Sequence, residues 1–339
     1  METGGIAERF RDKTILITGA TGFLGKLLVE KILRVQPEVR KLYLLVRAPD
    51  AIAAEERVLT EVVGNGLFDV LREQYGAGFH SFIKEKIYAL PGDVTHENFG
   101  LESYDILQLS QKVDIIVNGA ATTNFMERYD VALATNTTGV VHLCQFAKQC
   151  DNLKMVLHVS TALRLDYQLD IEAELQLVDK IKSELGINSD SKLEKITMRK
   201  LGLERAVHFG WPNTYTLTKA MGEMLLQQLG QDLPVVIMMR AANVLLGGIY
   251  TKNYYELNRG YNILMTVAKL YAPYVFFKGW FDDTNLRKLW KATAMDQNDD
   301  ASIFNFDPKC INWSSYLVNT HIPAAIKYAN NQKTKARSA

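Results

Sequence analysis

From Thr14 to Met239, short β-branched runs alternate with longer stretches of helical periodicity. Apolar strands separated by amphipathic helices mark a parallel sheet covered on both faces, because such strands bury both of their sides. The pattern predicts strands at Thr14–Thr18, Lys41–Val46, Lys86–Pro91, Val113–Asn118, Met155–Val159 and Val235–Met239. Helices are expected between them, for example Gly22–Val35 and Asn136–Gln149, the first with Leu24, Leu27, Leu28 and Ile32 as its apolar face. Glu172–Ala206 breaks the rhythm. It is charged, helix-prone and interrupted at Gly186, and reads as a helical excursion after the fifth strand. No repeat of fixed period occurs. Beyond Gly247 and Gly248 the chain turns aromatic and reads as short helices, Tyr261–Leu270, Asn285–Ala292, Trp313–Val318 and Ile322–Tyr328, with a frayed tail at Asn331–Ala339. The expected organisation is an α/β doubly wound parallel sheet over residues 1–249 and a small helical C-terminal domain over 250–339.

Composition narrows the function classes. The 339 residues are 47% hydrophobic and 23% charged, as in an ordinary globular protein. Basic and acidic side chains number 39 and 38, with no long basic run, so nucleic acid is not an expected partner. Cys144, Cys150 and Cys310 lack C-x-x-C spacing, and the six histidines form no metal grouping, so no metal site is expected. The polar start, Met1 to Phe10, carries no expected secretory or transit signal. Ile263–Phe277 is apolar but broken by Lys269 and Pro273, too short for the roughly 20 residues of a spanning helix. Any membrane contact is therefore expected to be peripheral.

The run Thr18-Gly19-Ala20-Thr21-Gly22-Phe23-Leu24-Gly25 follows a strand and opens a helix. Glycines at this spacing suit a dinucleotide: Gly19 for the tight turn, Gly22 for close approach of backbone N–H groups to a pyrophosphate, Gly25 for helix–sheet packing. Thr21, Phe23 and Leu24 complete the candidate contacts, and the architecture becomes Rossmann-like. The second strand ends in Arg47, where an NAD enzyme ordinarily has an acidic residue. A guanidinium fits a 2′-phosphate, which favours NADPH. Asp93, after the third strand, is a candidate acceptor for the adenine amino group. Asn118 and Ala120, at the end of the fourth, are candidates where small residues let the backbone approach the cofactor.

Tyr215 and Lys219 stand at i and i+4 in a helical run capped by Asn213, with Leu217, Met221, Met224, Leu225 and Leu229 as its expected buried stripe. A free phenol titrates near pH 10, and a cation one turn away stabilises the phenolate. The same ammonium can hold the ribose hydroxyls of a nicotinamide, joining cofactor position to proton transfer. Ser160 and Thr161, ending the fifth strand, offer hydroxyls that can polarise a substrate carbonyl. His158 reads as a packed strand residue.

These residues resemble the extended short-chain dehydrogenase/reductases. More narrowly, Lys13–Arg47, Ala120–Val131, Gly210–Leu226, Phe276–Asn285 and Phe304–His321 resemble the plant alcohol-forming fatty acyl-CoA reductases, the male-sterility-protein family. The resemblance implies two NADPH-dependent reductions, from fatty acyl-CoA through an aldehyde to a primary alcohol. Tyr215 would be proton donor, Lys219 its activator and ribose anchor, and Thr161 with Ser160 the carbonyl polariser. It also implies a cytoplasmic protein, peripheral on the endoplasmic reticulum. Two departures stand out: Ala162–Tyr167 runs almost directly into Asp170, and Arg240-Ala241 is followed quickly by Tyr250–Phe277, as if two internal segments were lost. They motivate an alternative, a dinucleotide-binding remnant without reductase activity. A sugar-nucleotide epimerase or dehydratase shares only the superfamily motifs.

Overall fold

A computed structural model describes residues 7–160, 169–185 and 192–239, with 288, 312–316, 319, 320 and 323. Contacts divide the chain into one unit of Glu8–Gly279 and another of Met1–Ala7 with Trp280–Ala339. The division lies later in the chain than the change of composition near residue 250. In the second unit the described residues include one helical turn, Trp313–Tyr316, within the helix expected there. The expectation at Tyr261–Leu270 and most of those at Asn285–Ala292 and Ile322–Tyr328 lie outside the described residues.

The first unit carries a six-stranded parallel sheet: β1 (Thr14–Thr18), β2 (Lys41–Val46), β3 (Ile87–Pro91), β4 (Ile115–Asn118), β5 (Met155–Ser160) and β6 (Val235–Met239). Their spatial order is β3-β2-β1-β4-β5-β6, the doubly wound arrangement expected. All five β1 residues are buried, and their alternation feeds two cores. Ile15 and Ile17 pack with Val29, Leu33, Leu44 and Phe68. Leu16 packs with Leu90, Phe99, Ile116, Leu143 and Phe146.

The first helix, α1 (Phe23–Val35), buries Gly25, Val29, Ile32 and Leu33, a face rotated from the expected one. Leu24, Leu27 and Leu28 are only half-buried, and Gly25, without a side chain, is laid against the Gly19–Ala20 turn. Four short helices connect β2 to β4: α2 (Ala51–Arg57), α3 (Asp69–Tyr75), α4 (Phe79–Lys86) and α5 (Ser103–Ser110). The helix expected at Asn136–Gln149 is a composite: α6 (Tyr129–Leu133), a π turn (Ala134–Thr138) and α7 (Gly139–Lys148). The excursion resolves into α8 (Ile171–Leu185) and α9 (Lys192–His208), followed by α10 (Thr214–Leu229).

The helix α10 is not amphipathic in the expected sense. Every residue from Thr214 to Met224 except Tyr215 is buried, because α10 is covered by α6, α7, α9 and the π turn. Leu217 and Met221 join Tyr129, Met198 and Trp211 in a third core, while Leu225 and Leu229 are only half-buried. Buried polar groups cement this layer. Glu174 of α8 receives both Nε and Nη2 of Arg205 and the hydroxyl of Tyr129. Asn136 Nδ2 donates to Thr218 Oγ1 at 3.0 Å, and Thr137 Oγ1 donates to the Thr218 carbonyl at 2.9 Å.

Candidate active site

The strand order reverses between β1 and β4, and the crevice above the carboxyl ends of such strands is where doubly wound sheets bind ligands. A cleft of about 590 Å³ lies there. One wall is the turn after β1. Gly19 has φ +73°, and a Cβ on it would stand 2.6 Å from the Gly119 carbonyl carbon, so the turn requires glycine twice over. Gly22 caps α1 with extended backbone and no side-chain hydrogen bond, leaving the first turn of the helix open toward the cleft. An open helix start beside small residues fits a pyrophosphate, and the cradle fits a dinucleotide.

Of the residues expected from the sequence, Gly19, Thr21, Gly22, Phe23, Leu24, Gly25, Arg47, Asp93, Ala120, Ser160, Tyr215 and Lys219 all line this cleft. Asn118 does not. It is 4% exposed, and its amide is engaged by Thr18 and His158 behind the wall. Position 118 ends a strand buried between β1 and β5, so the chain reaches the cleft only at Gly119 and Ala120. Thr161 lies outside the described residues. Ser160 reaches the wall, but its hydroxyl donates to the buried carboxylate of Glu223.

Asn213 caps α10, its side chain accepting from Thr216 N at 2.9 Å, and this starts the helix where Tyr215 falls on the cleft. The Tyr215 ring lies beside Phe125, centroids 5.7 Å apart. One turn on, Lys219 is 3% exposed; its Nζ donates to the Val159 carbonyl at 2.9 Å and meets His158 Nε2 at 3.2 Å. Burial pushes the Lys219 ammonium down to about 8, against the pull of the Glu223 carboxylate. His158 is held well below the ordinary imidazole range, first by burial and then by Lys219, so it is neutral.

Three residues that sequence reasoning did not single out, Glu223, Arg57 and Glu127, belong to this region, and so does His158. His158 is packed, as expected, yet it touches the site's lysine. The signal was its place two residues before Ser160, on the same face of β5. Glu223 continues the Tyr215–Lys219 row by one more turn. Arg57 and Glu127 line the cleft from α2 and from the loop after β4. Arg57 Nη1 donates to the Arg47 carbonyl and its Nε pairs with Glu61 at 2.8 Å. No motif announced Arg57, and Glu127 falls inside Ala120–Val131, a stretch that carries the family resemblance without marking this residue. Among the described residues no group of His, Cys, Asp and Glu could hold a metal, and no helix is long and apolar enough to cross a membrane.

Two family models match the chain, both described as male sterility protein, an NAD-binding one over residues 17–282 and a C-terminal one over 233–332. The alcohol-forming fatty acyl-CoA reductase of Simmondsia chinensis is 30% identical over 492 aligned positions, covering 97% of this chain and all of that protein. Fatty acyl-CoA reductase 2, chloroplastic, of Arabidopsis thaliana is 40% identical over 260 positions, 69% of this chain and 42% of that protein. Among solved structures, the terminal R domain of the myxalamid biosynthetic pathway is 23% identical over 68% of this chain and 49% of its own, with a TM-score of 0.46. A nicotinamide-cofactor fold, matched by family models from residue 17 to residue 332, identifies the chain as a member of the male sterility protein family.

Proposed function

We propose that this protein is an alcohol-forming fatty acyl-CoA reductase that uses NADPH. One observation carries the reading: Tyr215 and Lys219 line the same cleft as the glycine turn. When bound, the reduced nicotinamide supplies hydride to the carbonyl carbon of the substrate. The protein's part is to bind, orient and move protons. Gly19–Gly25 would hold the pyrophosphate and Asp93 the adenine. The Arg47 and Arg57 guanidiniums on the cleft wall, with no acidic residue at the end of β2, support NADPH over NADH. Lys219 would hold the ribose and stabilise the Tyr215 phenolate, and Tyr215 would give its proton to the carbonyl oxygen. Ser160 already donates to Glu223, so carbonyl polarisation falls chiefly to Thr161. Loss of the CoA thiol would leave an aldehyde, which the same residues would hold for reduction by a second NADPH. The proposed setting is the cytosolic surface of the endoplasmic reticulum, by resemblance.

The test is turnover of a long-chain acyl-CoA with NADPH, with alcohol as the measured product. Tyr215→Phe should lower the rate by about 10²–10⁴-fold, as for loss of a general acid, while nucleotide binding persists. Equal rates for the two proteins would overturn the assignment. A second reading, a nucleotide-binding remnant, is favoured by one observation. The alignment to the Simmondsia enzyme runs over 492 positions whereas this chain has 339 residues. Saturable NADPH binding without turnover of acyl-CoA or aldehyde would establish it.

A further inference from the structure

Behind Lys219 runs a file of buried polar groups that proton transfer from Tyr215 does not use. The backbone N–H of Ala120 donates to Thr18 Oγ1 at 3.1 Å, and that hydroxyl donates to Asn118 Oδ1 at 2.9 Å. Asn118 Nδ2 lies 3.0 Å from His158 Nδ1, and His158 Nε2 lies 3.2 Å from Lys219 Nζ. Thr18 and His158 are 1% exposed, Lys219 3% and Asn118 4%, so water cannot repair a bond made the wrong way round.

We infer that this file is a polarised relay in which His158 is a positioning residue, fixing the direction of Lys219 and the protonation state it prefers. The inference rests on the Tyr215–Lys219 reading for its functional meaning. Polarity enters at Ala120, because a backbone amide can only donate. Thr18 accepts there and keeps its own hydrogen for Asn118 Oδ1. The Asn118 amide then presents Nδ2–H to His158 Nδ1, so a neutral imidazole carries its hydrogen on Nε2. That N–H meets Lys219 Nζ, which can receive it only as an amine with a free lone pair.

The ammonium needs the reverse order. The Asn118 amide turns over, Oδ1 accepts from Nδ1–H, and Nε2 accepts from Lys219. Thr18 then receives two N–H groups and its hydroxyl loses Asn118 as acceptor, so the ammonium sacrifices a buried hydrogen bond that the amine keeps. In either state one Lys219 N–H remains on the Val159 carbonyl, which holds the nitrogen at the wall.

The groups around Lys219 are few in kind. His158 faces it from β5, and Tyr215 and Glu223 share its helix. Asp93, Glu127, Arg47 and Arg57 stand on the wall of the same cleft. Asn136 and Thr137, on the π turn packed against α10, are polar but do not titrate. Glu223 favours the ammonium and the relay favours the amine, so the two oppose each other across one nitrogen.

The decisive measurement needs neither nucleotide nor substrate. The full chain is labelled with ¹³Cε-lysine, the Lys219 resonance is assigned by its loss in Lys219→Arg, and its titration is followed by NMR. Thr18→Val frees the Asn118 amide to turn and should move the titration up by roughly 0.5–1 pH unit, the worth of one hydrogen bond. Thr18→Ser restores the hydroxyl and should restore the wild-type titration. Should Thr18→Val fail to fold, Thr18→Ala decides: it removes the same hydroxyl, adds no charge near Lys219, and should move the titration up by the same amount. An unmoved titration in the folded variant, or an equal shift in Thr18→Ser, would overturn the relay. A shift in a protein that turns over no acyl-CoA would leave the relay standing and remove the reductase reading instead.

Discussion

Gly222→Ala tests whether packing beneath α10 holds the site in place. A Cβ at Gly222 would sit more than 1 Å inside the 3.4 Å at which ordinary contact begins with the Asn136 carbonyl oxygen, and 3.2 Å from Val140 Cγ2. Backbone, not a flexible side-chain end, blocks it, so α10 and the π turn must part. Overpacking of this kind costs about 1–3 kcal/mol. The movement also strains the hydrogen bond from Asn136 to Thr218, worth about 1 kcal/mol. Alanine's better helix propensity returns about 1 kcal/mol. The net expectation is a loss of about 2 kcal/mol, or about 4–8 °C in Tm for a domain of this size. Urea and thermal unfolding of Gly222→Ala would be measured beside Gly78→Ala, where a Cβ meets nothing within 4 Å and φ is −80°. The control should be neutral or slightly stabilising. Lys219 is one turn away, so the variant should also bind NADPH less tightly. If the two variants unfold at the same denaturant concentration, the close approach of α10 to the π turn is wrong.

Two further outcomes follow from charges in the same layer. Burial lowers Lys219 to about 8, so the buried group loses its proton as pH rises through that value, well before an exposed lysine would. NADPH affinity, followed by fluorescence, should therefore fall above about pH 8, and a flat profile from pH 7 to 10 would contradict the role given to the ammonium. Arg205→Leu would leave the 3% exposed Glu174 with only the Tyr129 hydroxyl at 2.8 Å in place of a two-point ion pair. Loss of about 3 kcal/mol is expected, read as a lower urea midpoint with an unchanged slope. Restoration by Glu174→Gln in the same chain would confirm that the cost is the stranded carboxylate.

Sequence alone determined the sheet, its helical covers and one wall of the cleft. Period-two and period-3.6 patterns and a glycine turn between strand and helix are local facts, set by backbone sterics and by which side of an element must leave water. Tyr215 and Lys219 were legible for the same reason, since their spacing of one turn is a property of a single helix. What the sequence could not decide were the partnerships between elements. His158 reads as a core residue until β5 is laid beside β4 and under α10, when it becomes the neighbour of both Asn118 and Lys219. Asn118 reads as a cofactor contact until the register buries it behind Gly119. Ser160 reads as an open hydroxyl until Glu223 arrives from across the layer, 63 positions away. Burial, hydrogen-bond direction and the charge on Lys219 depend on which groups share one dry volume, and only tertiary packing brings those groups together.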